Sequence, residues 1–267
     1  MSFETIIFDK EDYIGRITLN RPDRFNALND KMYDELIEVL DEIDDDEDVR
    51  VLIITGAGKA FCAGADVTGD EDSETIIDGG SVKHVQHYLR TGCQKVTRLI
   101  QGIPQPTISM VNGVAVGGGF EIACACDIRI GSEKARFMNA FIKIGLFPDM
   151  GGTWLIPRIV GINRALEILY TGDPVDAETA EKIGLLNKMA KAEDLEKETM
   201  KMAAKIAAGP PLGMALTKMQ VYKGQSMDWD SALEVEAACM TTLINSEDYK
   251  NAIQAFRDNK KPTFSGR

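Results

Sequence analysis

Residues Asn112 to Asp127 read NGVAVGGGFEIACACD. Three consecutive glycines, Gly117, Gly118 and Gly119, stand directly before Phe120 and Glu121. The β-branched and apolar residues Thr107 to Val111 precede this run, and an apolar stretch with helical character follows it. The pattern predicts a turn free of side chains at the mouth of a helix, where unpaired N–H groups can face an anionic oxygen. Glu121 lies one turn inside that helix. Oxyanion donors and a carboxyl so close together suit chemistry beside a carbonyl. The same glycines also fit a buried helix start that needs close packing.

Working outward, Val51 to Asp66 read VLIITGAGKAFCAGAD. Val51 to Thr55 has the continuous apolar character of a buried parallel strand. Gly56 and Gly58 follow, then the small run Ala63, Gly64, Ala65, Asp66. Elsewhere strands and helices alternate. Thr5 to Phe8 and Ile14 to Leu19 read as an antiparallel opening pair, and Lys31 to Ile43 as an amphipathic helix. Asp70 to Ser81 reads as a polar, Gly-rich loop, and Val82 to Ile100 as one long helix closed by Gly102 and Pro104. Pro106 to Val111 and Ile128 to Gly131 read as strands, Gly118 to Cys126 as a helix, and Phe137 to Ile142 as a short extended segment. From Gly151 onward the pattern is helical. A β/α layer followed by a helical region defines an α/β architecture.

At this point the sequence resembles the enoyl-CoA hydratase/isomerase (crotonase) family. The resemblance runs through LNRPDRFNALN (Leu19 to Asn29), FCAGAD, GGGFE and GLFPDMGGTW (Gly145 to Trp154). It continues through YTGDPVDAETAEKIGLLN (Tyr170 to Asn187) to the tail AFRDNKKPTF (Ala255 to Phe264). It implies a crotonase-like fold with a ββα-type spiral core over residues 1–195 and a helical C-terminal region over 196–267 that serves trimerisation. It also implies a homotrimer or homohexamer and an acyl-CoA thioester as substrate. Coenzyme A is then part of the substrate, and no separate cofactor is expected.

The composition agrees with an enzyme of this kind. The chain has 267 residues, 44% of them hydrophobic, which is enough for a sizeable core. Its net charge of −12 argues against nucleic acid as a partner, since phosphate binding wants a basic face. The start, MSFETIIFDKEDY, has neither a basic leader nor a long apolar run, so a cytoplasmic protein off the membrane is expected. Cys62, Cys93, Cys124, Cys126 and Cys239 are odd in number and read as reduced thiols. His84 and His87 lack a neighbouring Cys or acid cluster, so no metal site is expected. Gly58-Lys59 lacks the flanking residues of a P-loop, and the triple glycine does not continue as a dinucleotide fingerprint.

By resemblance, the backbone N–H groups of Ala65 and Gly118 hold the thioester oxygen. The backbone around Ala63, Ala65, Asp66, Val67 and Thr68 grips the adenine of CoA. Thr68 replaces a frequent lysine of the family. Arg24 approaches the CoA phosphates or is a plain surface arginine. Lys260 and Lys261 reach the CoA of a neighbouring subunit or form a solvated tail.

The catalytic acids depart from the hydratase pattern. Glu121 matches the first glutamate of a hydratase, but Phe141 occupies the place of the second, and a phenyl ring carries no proton. Asp149 supplies an acid eight residues later. Some isomerases of the family carry a catalytic aspartate there, paired in dienoyl-CoA isomerases with an acid at the place of Glu121. In ring-modifying phenylacetate-pathway isomerases it works nearly alone, and their AF-x-x-IGL-x-PD segment matches Ala140 to Asp149. The competing role for Asp149 is N-cap of the following helix. Phe141 and Phe147 would suit an aromatic or alicyclic acyl group, or simply belong to the core. Three readings result. The leading one is an enoyl-CoA isomerase with a carboxylate proton shuttle. The second is a hydratase, for cyclic or dienoyl esters among others. The third is a non-catalytic binding protein of the same fold.

Overall fold

The strand Val51–Gly56 (β3) is buried along its whole length and lies inside a six-stranded sheet. The computed structural model describes residues 3–66 and 81–267. The expected polar loop from Asp70 lies outside the described residues, apart from Ser81. The first sheet adds Ile6–Glu11 (β1), Ile14–Leu19 (β2), Thr107–Val111 (β5), Ile128–Ser132 (β7) and Lys188–Ala190 (β10), in the order β1-β2-β3-β5-β7-β10. β1 and β2 form the antiparallel opening pair, and the remaining pairings are parallel.

A second sheet contains Ala60–Cys62 (β4), Val114–Val116 (β6), Arg136–Met138 (β8) and Val175–Asp176 (β9), in that order. Three times the chain leaves the first sheet and enters the second within a few residues: β3 to β4, β5 to β6, β7 to β8. These corners are too tight for side chains. A Cβ on Gly113 would meet the Lys59 carbonyl at 2.0 Å, and one on Gly56 the Ala60 carbonyl at 2.2 Å. Polar side chains bind the corner carbonyls instead. Asn112 Nδ2 donates to Gly56 O (2.9 Å), Gly58 O and Ala60 O, both at 3.1 Å. Asn26 Nδ2 donates to Ala57 O and Ala60 O, both at 2.9 Å.

Strand alternation splits the core into two layers. Leu52 and Ile54 join Leu19, Phe61, Phe120 and Phe137 in the larger cluster. Val51 and Ile53 join Ile108 and Met110 on the opposite face, covered by Leu195, Ala203 and Ala207 of α8 (Leu195–Ala207). The larger cluster is closed by α1 (Asp30–Asp44), α3 (Cys93–Gly102) and the fully buried α4 (Gly118–Ala125).

Two local expectations are corrected. The segment expected as one helix from Val82 to Ile100 is two, α2 (Val82–Thr91) and α3, broken at Gly92 with φ −100° and ψ −104°. The break lets α3 bury Cys93, Val96, Thr97 and Ile100 while α2 buries no residue. The segment from Phe137 to Ile142 is extended only through Met138. It then forms a 3-10 helix over Ala140–Ile144, and Asn139 Nδ2 donates to Leu169 O at 2.8 Å.

The helical region follows as α5 (Gly152–Val160), α6 (Ile162–Thr171), α7 (Ala177–Lys182), α8, α9 (Pro211–Gly224), α10 (Trp229–Asn245) and α11 (Glu247–Arg257). α9 is pinned by a buried ion pair, Lys218 Nζ to Asp127 Oδ2 at 3.1 Å. Lys218 Nζ also donates to Ile100 O and Gln105 O, so its burial is compensated. α10 buries no residue, and Trp229 and Phe256 are 76% and 81% exposed, which marks unpartnered apolar surface.

Candidate active site

The site begins where β6 runs into α4. Gly117 takes φ 50°, ψ −121°, a backbone region that side chains rarely tolerate, and so turns the chain into the helix. Gly119 packs onto β4 so closely that a Cβ would lie 2.4 Å from Cys62 O. Gly118 opens α4. A Cβ there would meet Met150 Sδ at 2.9 Å and Leu28 Cδ1 at 3.0 Å. The triple glycine therefore serves close packing and the turn together.

The loop after β4 lies against this turn. A Cβ on Gly64 would stand 3.6 Å from Gly118 N. Leu28 N donates to Gly64 O and Asp66 N donates to Leu28 O, both at 2.8 Å, in a parallel bridge that leaves the Ala65 amide pointing away from Leu28. Neither the Ala65 nor the Gly118 N–H has a hydrogen-bond partner among the described residues. Two free amides on adjoining backbones, one of them at a helix N-terminus, are suited to an oxyanion.

The carboxyls come next. Glu121 is 1% exposed. Its Oε1 accepts from Gly152 N (2.5 Å) and Met150 N (3.0 Å), while Oε2 is buried without a partner. Burial first, then the neighbouring Asp149 charge, pushes Glu121 up to about 8. Burial raises Asp149 to about 6. The backbone beneath Asp149 is clamped by α3: Gln94 Nε2 donates to Asp149 O (2.9 Å) and Thr97 Oγ1 to Met150 O (2.8 Å). The Asp149 carboxylate accepts no hydrogen bond from another described residue. The N-cap role for Asp149 is not observed: Gly151 caps α5, without a side-chain hydrogen bond.

Around this pair stand Tyr33 and Tyr88, which sequence reasoning did not single out, and Cys93, read from sequence only as a reduced thiol. Tyr33 on α1 is 6% exposed, with its hydroxyl 4.0 Å from the Cβ direction of Gly118. Tyr88 on α2 donates to Asp30 Oδ1 at 2.6 Å. Cys93, held at about 12 by burial, lies within the fields of Asp149 and Glu121. Phe141, half-buried on the 3-10 helix, places its ring 3.6 Å from the Cβ direction of Gly117. Phe147 is 71% exposed, outside the core.

The expected CoA-binding residues fare differently. Ala63, Gly64, Ala65 and Asp66 adjoin the glycine turn, whereas Val67 and Thr68 lie outside the described residues. The Asp66 carboxylate is buried against Arg21 at 2.9 Å, a structural pair that the sequence reading missed. Arg24 ends the 3-10 helix Pro22–Arg24 and is exposed. Lys260 and Lys261 are exposed, and Lys261 lines a surface cleft with Tyr13 and Arg50. Among the described residues there is no cluster of His, Cys, Asp and Glu able to hold a metal, and the five cysteines are free thiols. No described helix is long and apolar enough to cross a membrane.

A paired-amide turn beside buried carboxyls, carried on a two-sheet spiral, defines a class of thioester enzymes. The sequence profile of the enoyl-CoA hydratase/isomerase family matches residues 9–267, and the chain belongs to that family. A crotonyl-CoA hydratase of Syntrophomonas wolfei is 36% identical over 265 residues, 99% of each chain. A 1,2-epoxyphenylacetyl-CoA isomerase of Escherichia coli is 33% identical over 264 residues, again 99% of each. The crystal structure of an enoyl-CoA hydratase from Bacillus anthracis superposes with a TM-score of 0.91 at 32% identity, covering 99% of this chain and 100% of that one. The fold is the crotonase fold, and the protein is an enzyme, an enoyl-CoA isomerase or hydratase.

Proposed function

We propose that the enzyme moves a double bond within an enoyl-CoA ester, with Asp149 carrying the proton. The carrying observation is the contrast between the two acids. Glu121 is tethered through Oε1 to two amides, whereas the Asp149 side chain is held by no other described residue. Isomerisation removes a proton at one carbon and returns it at another, so it needs one carboxylate free to swing. Hydration needs two opposed groups to activate water and protonate Cα. By resemblance, Phe141 takes the place of the second acid of a hydratase, and its ring lies 3.6 Å from the Gly117 Cβ direction.

In this reading the amides of Ala65 and Gly118 receive the thioester oxygen as the dienolate forms. Each such donor is worth about 3 kcal/mol of transition-state stabilisation. Asp149, with its carboxyl near 6, is ionised at neutral pH and still basic enough to take an activated proton. Glu121 holds the acyl group through Oε2. Ala63, Asp66, Val67, Thr68 and Arg24 bind the nucleotide end, and Phe141 lines the acyl end. The assembly is a homotrimer or homohexamer, supported by the unburied apolar face of α10. Relatives named for both reactions share the scaffold, so the acids carry the distinction.

The test is incubation with 2-enoyl-, 3-enoyl- and cyclic dienoyl-CoA esters, followed by mass spectrometry and NMR. Double-bond migration at unchanged mass, abolished by Asp149→Asn, supports isomerisation. A gain of one water with Asp149→Asn and Glu121→Gln equally damaging would establish the hydratase instead.

A further inference from the structure

Tyr33 and Tyr88 both reach the site, but only one hydroxyl is engaged. Tyr88 donates to Asp30. The Tyr33 hydroxyl has no hydrogen-bond partner among the described residues, although the side chain is 6% exposed. The hydroxyl lies 4.0 Å from the Gly118 Cβ direction, which Met150 Sδ and Leu28 Cδ1 also approach. Unlike Glu121 Oε2, it is not fully enclosed, so it stays open to solvent within the site, where a ligand oxygen can replace water. A Phe would fill the same space but offer a ligand no hydrogen bond.

We propose that Tyr33 is a specificity-determining residue, its hydroxyl binding an oxygen carried by the acyl group of the CoA ester. This rests on the acyl-CoA reading of the site. The thioester oxygen is not the target. It belongs to the amides of Ala65 and Gly118, whereas Tyr33 is reached along the Cβ direction of Gly118, away from its N–H. Nor is Tyr33 a base. Burial, followed by the charges of its neighbours, holds its proton far more tightly than in water, so the phenol stays neutral and acts by hydrogen bonding. Glu121 Oε2 is the second unpartnered polar atom of the site. A purely hydrocarbon acyl group would displace water from the Tyr33 hydroxyl and offer it no partner. An ether, epoxide or hydroxyl oxygen would satisfy Tyr33, and sites built around such a hydrogen bond discriminate strongly against the analogue that lacks it.

The probes are cyclohexylacetyl-CoA and its ether counterparts, tetrahydropyran-3-ylacetyl-CoA and tetrahydropyran-4-ylacetyl-CoA. These differ by one oxygen for a methylene and have no double bond to shift or hydrate. Affinities are measured by titration calorimetry on the wild type and on Tyr33→Phe, which keeps the buried ring. The wild type is expected to prefer at least one ether by about tenfold, the scale of one hydrogen bond. Tyr33→Phe is expected to erase that preference while binding the cyclohexyl ester within about twofold. The proposal is overturned if the wild type binds ether and hydrocarbon alike. It is equally overturned if Tyr33→Phe weakens both to the same degree, or leaves the preference intact. Failure of every ester to bind would instead remove the acyl-CoA reading, and the two failures are distinct.

Discussion

Gly152 N donates to Glu121 Oε1 at 2.5 Å, so the first amide of α5 holds a carboxyl that belongs to α4. The contact joins the two halves of the site through a helix N-terminus, where a carboxylate is electrostatically favoured. It also explains why a glycine stands there. A Cβ at position 152 would lie 2.8 Å from that same oxygen and 2.9 Å from Pro148 Cβ. Gly152→Ala is therefore expected to lose about 1–3 kcal/mol of stability, the usual range for overpacking. Turnover should fall by more than the unfolded fraction explains, because Glu121 is displaced. Chemical denaturation together with kcat per folded molecule checks both.

The pH profile should carry two limbs. Asp149 titrates near 6 and must be ionised to accept a proton, so kcat/KM is expected to rise through that pH. Glu121 titrates near 8, and its neutral form avoids a second buried charge beside Asp149, so activity should fall above that pH. Glu121→Gln should remove the alkaline limb and spare the acidic one. A profile flat from pH 5 to 9 would contradict both assignments.

Stability should follow the same group. The folded-state value of Glu121 is raised from 4.5 to about 8. A carboxyl raised on folding contributes stability that is fully present below the unfolded value and lost as pH rises through the folded one. The loss therefore runs from about 4.5 to about 8. Glu121→Gln carries no such proton. Its melting temperature relative to wild type should climb across that window, as differential scanning calorimetry at matched ionic strength would show.

The oxyanion assignment predicts a contrast at one position. Gly118→Pro and Gly118→Ala both add a Cβ against Met150 Sδ and Leu28 Cδ1. Only proline removes the N–H, and it is tolerated at the first position of a helix. Gly118→Pro should cost about two to three orders of magnitude in turnover beyond Gly118→Ala. Equal losses in the two variants, measured by steady-state kinetics, would assign the effect to crowding alone.

Assembly is expected to cover α10. Trp229, Leu233, Met240 and Ile244 are exposed along one 17-residue helix that buries nothing. Light scattering at micromolar concentration should report a trimer or hexamer. Trp229→Asp combined with Met240→Asp should release monomers with unchanged secondary structure by circular dichroism.

The sequence by itself determined the elements whose signal is local. Apolar continuity marked β3, the glycine run and its apolar sequel marked α4, and the helical pattern after Gly151 returns as α5 to α11, with only the short β9 and β10 between them. Motif order identified the family and the places of Glu121 and Asp149. Tertiary structure decided whatever depends on a partner far along the chain. Gly92 interrupts a helix that periodicity reads as continuous, because only α3 has a core to face. Asp149 is not a cap, because α5 takes its acceptor from Glu121, 31 residues upstream of Gly152. Arg21 is spent on Asp66, and Tyr33, one more apolar-face residue of α1 by sequence, brings an unpaired hydroxyl to the glycine turn. Such roles are set by burial and by the direction of a side chain in space, neither of which is encoded in the spacing of residues along one element.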